Sequence, residues 1–174
     1  MCRQLIDSDE WAKHNGHLLG NRIEWSNRAC GMADLRMILL AYGHDAPPVT
    51  ELLHLGVQRG ALTDRGWIHA RLADLASSFG VPSRAEAIDI DDVPARLVEA
   101  PMILSVSDQL PTDGRRGGHL IIARGWEDDG DQTIIIRDPS SWGQENSRVP
   151  LRRVAFSYSG RAITFAPLPR KQLP

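Results

Sequence analysis

Cysteine is scarce in this sequence, which contains only Cys2 and Cys30 among its 174 residues. Cys2 lies in a polar N-terminal segment of the kind that frays, so a structural disulfide is not expected. The two cysteines and six histidines show none of the C-x-x-C or H-E-x-x-H spacings that are typical of zinc sites. The sequence therefore predicts no metal and no other cofactor.

Long apolar runs are also missing. The first ten residues lack the apolar stretch of a signal peptide, and no segment approaches the roughly 20 apolar residues of a membrane span. The 20 basic and 22 acidic residues give a formal net charge of −2 without a basic stripe, which disfavours a nucleic-acid partner. We expect a cytoplasmic protein with neither a membrane nor a nucleic-acid partner, and the oligomeric state stays open.

The length and the hydrophobic content of 42% are sufficient for one domain with a sizeable core. We predict a single domain over residues 1–174. Residues 1–20 and 167–174 are mostly polar and are predicted to be peripheral.

Residues 32–41 predict an amphipathic helix that Gly43 ends in the C-cap region. Cys30 then lies at the helix N-terminus, where unpaired N–H groups and the helix dipole favour a thiolate. This position favours a reactive cysteine. A buried structural cysteine is equally consistent with the position alone.

A histidine and an aspartate lie at the ends of two predicted strands, at 119–125 and 133–138. The turn-forming residues between the strands predict an antiparallel hairpin, which places His119 at its start beside Asp138 at its end. Asp138 then orients the imidazole, and the other ring nitrogen faces Cys30. These positions predict a Cys-His-Asp site.

The predicted elements run from helices to strands along the chain. Predicted helices fill much of the first hundred residues, and predicted strands follow at 102–107, 119–125, 133–138 and 161–165. This order indicates an α+β protein with an antiparallel sheet. The helical half supplies Cys30 and the sheet supplies His119 and Asp138, so the active site is expected in the cleft between them.

The dipeptides Cys30-Gly31, Gly118-His119 and Asp138-Pro139, in this order, resemble the papain-like cysteine peptidases of the bacteriocin-processing group. Those enzymes cut leader peptides after a double-glycine motif, and the resemblance extends from about residue 23 to residue 165. It implies a papain-like fold in a stand-alone domain and a peptide or peptide-like substrate. It also implies that Cys30 is the nucleophile, His119 the base and Asp138 the orienting residue.

The resemblance also suggests the remaining site residues. The group usually carries a glutamine six residues before the cysteine that donates to the oxyanion, and here that position is Glu24. An ionised carboxylate cannot donate a hydrogen bond. Three arrangements therefore stay open: Glu24 donates as a neutral acid, Asn27 donates in its place, or backbone N–H groups act alone. Residues 61–67 resemble a cleft-wall segment of the group. The residues assigned to substrate binding are Gly31, Gly118 and Trp142.

Three functions are compatible with these residues. The first is a cysteine peptidase-like enzyme that forms a thioester acyl-enzyme on a peptide or amide. The second is an acyltransferase or cyclase of a peptide or natural-product pathway that uses the same triad. The third is a non-catalytic peptide-binding module, a hypothesis that the replacement at Glu24 motivates.

Overall fold

The computed structural model describes residues 2–168, and within them the chain forms seven α-helices and eight β-strands. The helices are α1 Ser8–Lys13, α2 Arg22–Arg28, α3 Cys30–Ala41, α4 Val49–Gln58, α5 His69–Ser78, α6 Val93–Leu97 and α7 Leu151–Ser157. The strands are β1 Leu62–Thr63, β2 Gly66–Trp67, β3 Ser83–Ala87, β4 Met102–Val106, β5 His119–Glu127, β6 Thr133–Arg137, β7 Arg148–Pro150 and β8 Arg161–Phe165. Over this part of the chain, no helix combines the length and the apolar character that crossing a bilayer requires.

Six strands form one antiparallel sheet in the order β3-β8-β4-β5-β6-β7, and β1 pairs with β2 in a separate hairpin. Successive side chains of a strand point to opposite faces, so a central strand buried on both faces reads as an apolar run. Ile103 of β4 belongs to the core cluster that contains α3, α4 and α5, whereas Leu104 belongs to the cluster on the other face. The predicted α+β architecture with an antiparallel sheet is confirmed.

Strand β3 and helix α7 differ from the expectation that helices precede strands. Strand β3 lies between α5 and α6 and pairs with β8 at the sheet edge, and α7 separates β7 from β8. The sequence Ser-Arg-Ala-Glu-Ala of β3 contains no large apolar residue, because an edge strand with exposed side chains needs none. The backbone pairing with β8 defines this strand, and no hydrophobic pattern marks it.

The prediction that residues 1–20 are peripheral is wrong for much of this segment. Ile6 and Trp11 are buried in the helical core cluster, because α1 turns its indole towards the protein interior. The backbone N–H of Gln4 donates to the carbonyl of Pro139 at 3.0 Å, and the N–H of Ile6 donates to Ser26 Oγ at 3.1 Å. Of the C-terminal segment expected to be peripheral, residues 169–174 lie outside the described residues.

Candidate active site

Cys30 is the first residue of α3, as the sequence predicted for a helix N-terminus. The carbonyl of Ala29 accepts from the N–H groups of Met32 and Ala33. The N–H groups of Cys30 and Gly31 bond to no backbone carbonyl of the described residues outside the helix, as expected in a first helical turn. The thiol is largely buried but lies in the wall of a cleft. The helix terminus therefore offers an anion at Cys30 both free donors and a favourable dipole.

Gly31 lets the start of α3 pack closely on two side chains. A Cβ at this position would lie 2.9 Å from Trp67 Cδ1 and 3.1 Å from Leu120 Cδ1. The indole N–H of Trp67 also donates to the carbonyl of Arg28 at 2.7 Å, which fixes the chain two residues before Cys30. Gly31 is buried and does not line the cleft, so its contribution is packing. No local sequence pattern predicts this role of Trp67, because it depends on a contact across 39 residues.

His119 and Asp138 are hydrogen-bonded neighbours in the buried part of the site. His119 Nε2 lies 2.9 Å from Asp138 Oδ1, and the two side chains are only 7% and 1% exposed. The β4 register places His119 opposite Val106, and Asp138 follows the last residue of β6. Because Nε2 faces Asp138, Nδ1 is the ring nitrogen left for Cys30.

The charges of this cluster reinforce one another. Burial by itself lowers the pKa of His119, but the hydrogen bonds with Asp138 and Cys30 and their negative charges raise this pKa to about 11. Burial likewise raises the pKa of Asp138, but the hydrogen bond and the positive charge of His119 lower it on balance. The cluster therefore favours the imidazolium form of His119 and the carboxylate form of Asp138.

The loop after β6 wraps around Asp138. Asp138 Oδ1 also accepts from the N–H of Ser140 at 2.8 Å, and Ser140 Oγ accepts from the N–H of Gly143 at 3.3 Å. A Cβ at Gly143 would lie 2.3 Å from both the Cβ and the carbonyl oxygen of Asp138, so only glycine fits there. Trp142 instead packs on the second core cluster with the Arg153 guanidinium 5.3 Å from its ring, and it does not line the cleft.

A cleft of about 1060 Å³ opens beside Cys30 and His119. One wall is the β1–β2 hairpin, so the segment that resembles a cleft wall does line the cleft. Gly118, with φ +93°, also lines the cleft. Its assignment to substrate binding stays a prediction. The cleft lies between the helical half and the sheet, which suits an extended substrate.

The two residues considered as oxyanion donors have different positions. Both lie on α2, but Asn27 lines the cleft, whereas Glu24 is exposed and does not line it. The structure therefore brings Asn27, and not Glu24, to the side of the cleft that holds Cys30. Over residues 2–168, no group of three or more His, Cys, Asp or Glu side chains is arranged to hold a metal ion.

Asp34, which the sequence analysis did not single out, lies one helical turn after Cys30 and is fully buried. Neither of its carboxyl oxygens has a hydrogen-bond partner within the described part of the chain. Burial, and after it the negative charge of Cys30, raises the pKa of Asp34 well above its ordinary value, although the charge of His119 opposes this. The charges of Asp138 and Cys2 raise the pKa further. Asp34 is thus a buried acid that favours its neutral form.

Asp34→Asn is expected to increase the free energy of unfolding by an amount that grows with pH. An unfolded chain releases this proton near the ordinary value of 3.8, whereas the folded chain keeps it to higher pH. Between the pKa of Asp34 in the unfolded chain and its higher pKa in the folded chain, the folded state binds more protons. The free energy of unfolding of the wild-type protein therefore falls as pH rises through this range, and asparagine, which does not titrate, removes the loss. Urea unfolding of both proteins at pH 4.5 and 7.5 measures the difference. A difference that is the same at both values would contradict this assignment.

Comparisons with known proteins give different results for sequence and for structure. No protein-family model matches the sequence, and no curated protein matches it. Solved structures do match the fold. The peptidase domain of Streptococcus ComA, a bi-functional ABC transporter involved in a quorum-sensing pathway, is 22% identical with a TM-score of 0.62, covering 80% of this chain and 92% of that one.

Two further structures have the same fold. A double-glycine-motif protease from an AMS/PCAT transporter, in complex with its leader peptide, is 19% identical with a TM-score of 0.57, covering 79% of this chain and 84% of that one. The N-terminal peptidase C39-like domain of the toxin secretion ATP-binding protein from Vibrio parahaemolyticus is 15% identical with a TM-score of 0.55, covering 79% and 96%. The predicted papain-like fold, and the resemblance to this group at the level of fold, are confirmed.

Proposed function

We propose that this protein is a cysteine peptidase-like enzyme that forms a thioester on Cys30. The observation that carries the proposal is the buried His119–Asp138 hydrogen bond at the cleft that contains Cys30, which lies at a helix N-terminus. A nucleophile, a base and an orienting carboxylate in this arrangement are the parts that acyl transfer needs. The shared fold of the peptidase domains supports the same chemistry.

The reaction proceeds through two acyl transfers. The Cys30 thiolate attacks the carbonyl carbon of an amide, and the N–H groups at the start of α3 stabilise the oxyanion. The C–N bond breaks as the His119 imidazolium gives its proton to the leaving amine, which leaves a thioester. Neutral His119 then takes a proton from the attacking water or amine, the C–S bond breaks, and the thiolate–imidazolium pair forms again. Asp138 holds the imidazole orientation throughout.

Peptides are the proposed substrates. The cleft has a volume of about 1060 Å³ and is lined by residues of both the helical half and the sheet. A structural neighbour is in complex with a leader peptide. A panel of peptides with and without a double-glycine motif tests the proposal, with products and Cys30 adducts identified by mass spectrometry. The proposal expects products that depend on Cys30 and His119.

Hydrolysis identifies a peptidase, whereas a product joined to an added amine identifies an acyltransferase or cyclase. Peptides that bind but never form a Cys30 adduct would show a binding module and overturn the proposal.

Asn27→Ala is expected to slow acylation of Cys30 by about a hundredfold, because loss of one oxyanion donor typically has an effect of this size. Glu24→Gln serves as the matched control on the same helix and is expected to leave the rate unchanged, because Glu24 is exposed and does not line the cleft. The measurement is the single-turnover rate of adduct formation. An increase with Glu24→Gln would instead identify that side chain as facing the oxyanion.

A further inference from the structure

The cleft is lined by more positive than negative side chains, although the chain as a whole has a formal net charge of −2. Apart from Cys30 and His119 themselves, its positively charged side chains are Arg28, Arg65, Arg116 and Arg161, and its negatively charged ones are Asp64 and Glu86. A narrow cleft with walls of low dielectric focuses such a field and concentrates ligands of opposite charge. The cleft therefore favours an anionic group on the substrate.

None of the four arginines that line the cleft has a carboxylate partner within the described part of the chain. Among residues 2–168, no carboxylate oxygen lies within 4.0 Å of the guanidinium groups of Arg116 and Arg161. Arg116 makes one long hydrogen bond, 3.4 Å, to the carbonyl of Tyr158. The Glu86 carboxylate is already engaged, because it accepts from Arg84 and Thr164. The positive charge of this region is thus left for a ligand.

Backbone contacts bring the two arginines to the same end of the cleft. Gly117, which follows Arg116, donates its N–H to Ser157 at 3.2 Å. A Cβ on Gly117 would lie 3.5 Å from both Ser105 Oγ and Ser159 Cβ. Arg161 follows Ser159 by two residues, at the start of β8. The loop that leads into His119 therefore lies against the segment that leads into Arg161.

Two serine side chains lie at this end of the cleft. Ser105 and Ser159 line the cleft, and Ser159 Oγ is buried without a hydrogen-bond partner among the described residues. His69, on the hairpin side of the cleft, has a pKa lowered by burial and then by the positive charge of Arg161. The positive charge of Arg161 therefore acts within the cleft, close enough to His69 to affect that side chain.

We propose that Arg116 and Arg161, with the hydroxyls of Ser105 and Ser159, form a subsite for a substrate carboxylate, so that the preferred substrates are acidic peptides. Guanidinium groups bind carboxylates through paired charge-assisted hydrogen bonds, and a free hydroxyl supplies a further donor. The subsite lies on the loop that carries His119, within reach of a peptide acylating Cys30. This inference rests on the proposed function for its catalytic consequence, but carboxylate binding itself does not require a reactive thiol.

Three matched iodoacetyl dipeptide amides, which differ only in a glutamate, a glutamine or a lysine side chain, test the subsite. We expect Cys30 to be alkylated about tenfold faster by the glutamate probe than by the glutamine probe at low salt, and slowest by the lysine probe. The ratio of the alkylation rate with the glutamate probe to that with the glutamine probe should fall towards one in Arg116→Gln and Arg161→Gln. Arg161→Glu should react fastest with the lysine probe. Arg71→Gln, an exposed arginine that does not line the cleft, should keep the wild-type ratio.

The ratio of the Cys30 alkylation rates with the glutamate and glutamine probes, measured in each protein, separates this inference from the proposed function. Equal rates for the glutamate and glutamine probes, with Cys30 still reactive, would overturn the subsite and leave the triad standing. If Cys30 reacts with none of the probes, the proposed function fails. The subsite is then tested by titrating the non-reactive acetyl dipeptides into Cys30→Ala, where equal affinities for glutamate and glutamine would overturn it as well.

Discussion

Replacing His119 with alanine is expected to change the pH dependence of Cys30 alkylation from nearly flat to steep. In the wild-type protein His119 stays protonated well above pH 8, because its pKa is raised to about 11. We expect this positive charge beside the thiol to favour the thiolate, as it does in other histidine-paired cysteines. The iodoacetamide rate should therefore change little between pH 5 and pH 8. Without the imidazolium, the thiolate fraction of a thiol with an ordinary pKa of about 8.5 falls tenfold per pH unit. The variant should then lose about a hundredfold in rate between pH 7 and pH 5.

The slope of the alkylation rate against pH is more informative than the rate at one pH. A thiol with a lower pKa forms more thiolate, but this thiolate is a weaker nucleophile, so the two effects partly cancel in a single rate. Peptide mapping measures Cys30 and Cys2 in the same molecule, so Cys2 serves as an internal reference. Circular dichroism and urea unfolding report whether the variant is folded. A flat profile in folded His119→Ala would show that His119 does not hold the thiolate.

Asp138→Ala is expected to lower the free energy of unfolding by about 3 kcal/mol. The carboxylate accepts from both His119 and the N–H of Ser140, and removal of the shared acceptor leaves two buried donors without partners. The same change releases the imidazole orientation, so acylation of Cys30 should become slower by several orders of magnitude. Asp138→Asn keeps an acceptor oxygen and should retain more stability and more activity than the alanine variant.

The asparagine variant also carries an expected defect of its own. Asp138 Oδ2 has no hydrogen-bond partner among the described residues, so an amide nitrogen placed there is a buried donor without an acceptor. Asparagine also lacks the negative charge that helps to raise the pKa of His119. The upper limit of the pH range in which the iodoacetamide rate is nearly constant should therefore be lower in this variant. Equal unfolding free energies and rates for the two variants would show that Asp138 acts only as a turn residue.

The cluster of Cys30, His119 and Asp138 was predictable because each member lies at the end of an element with a clear local pattern. The antiparallel pairing of β5 with β6 brings the start of one strand near the end of the other, and its last pair is Ile122 with Arg137. The side chains of His119 and Asp138, 19 residues apart, then meet at 2.9 Å. The helix pattern places Cys30 at the first position of α3. Spacing from the cysteine, by contrast, favoured Glu24 as the oxyanion donor, although α2 leaves that side chain exposed and brings Asn27 to the cleft.

The features that the sequence did not predict depend on contacts between distant segments. Gly143 fits only because the loop folds back onto Asp138, and no local pattern distinguishes it from an ordinary turn glycine. Asp34 looks like a polar position in an amphipathic helix, but the packing of α3 buries it completely. The burial of Trp11 also depends on tertiary packing, since the short polar segment around it carries little hydrophobic periodicity.

Acylation by an activated ester tests the central claim most directly, because it does not require knowledge of the natural leaving group. The enzyme is mixed with the p-nitrophenyl ester of acetyl-Gly-Gly, and released nitrophenolate and protein mass are followed together. We expect a burst of about one nitrophenolate per enzyme and a matching thioester on Cys30, both lost in Cys30→Ala and strongly slowed in His119→Ala. No burst, or an adduct that persists at another residue in Cys30→Ala, would contradict the assignment of Cys30 as the nucleophile.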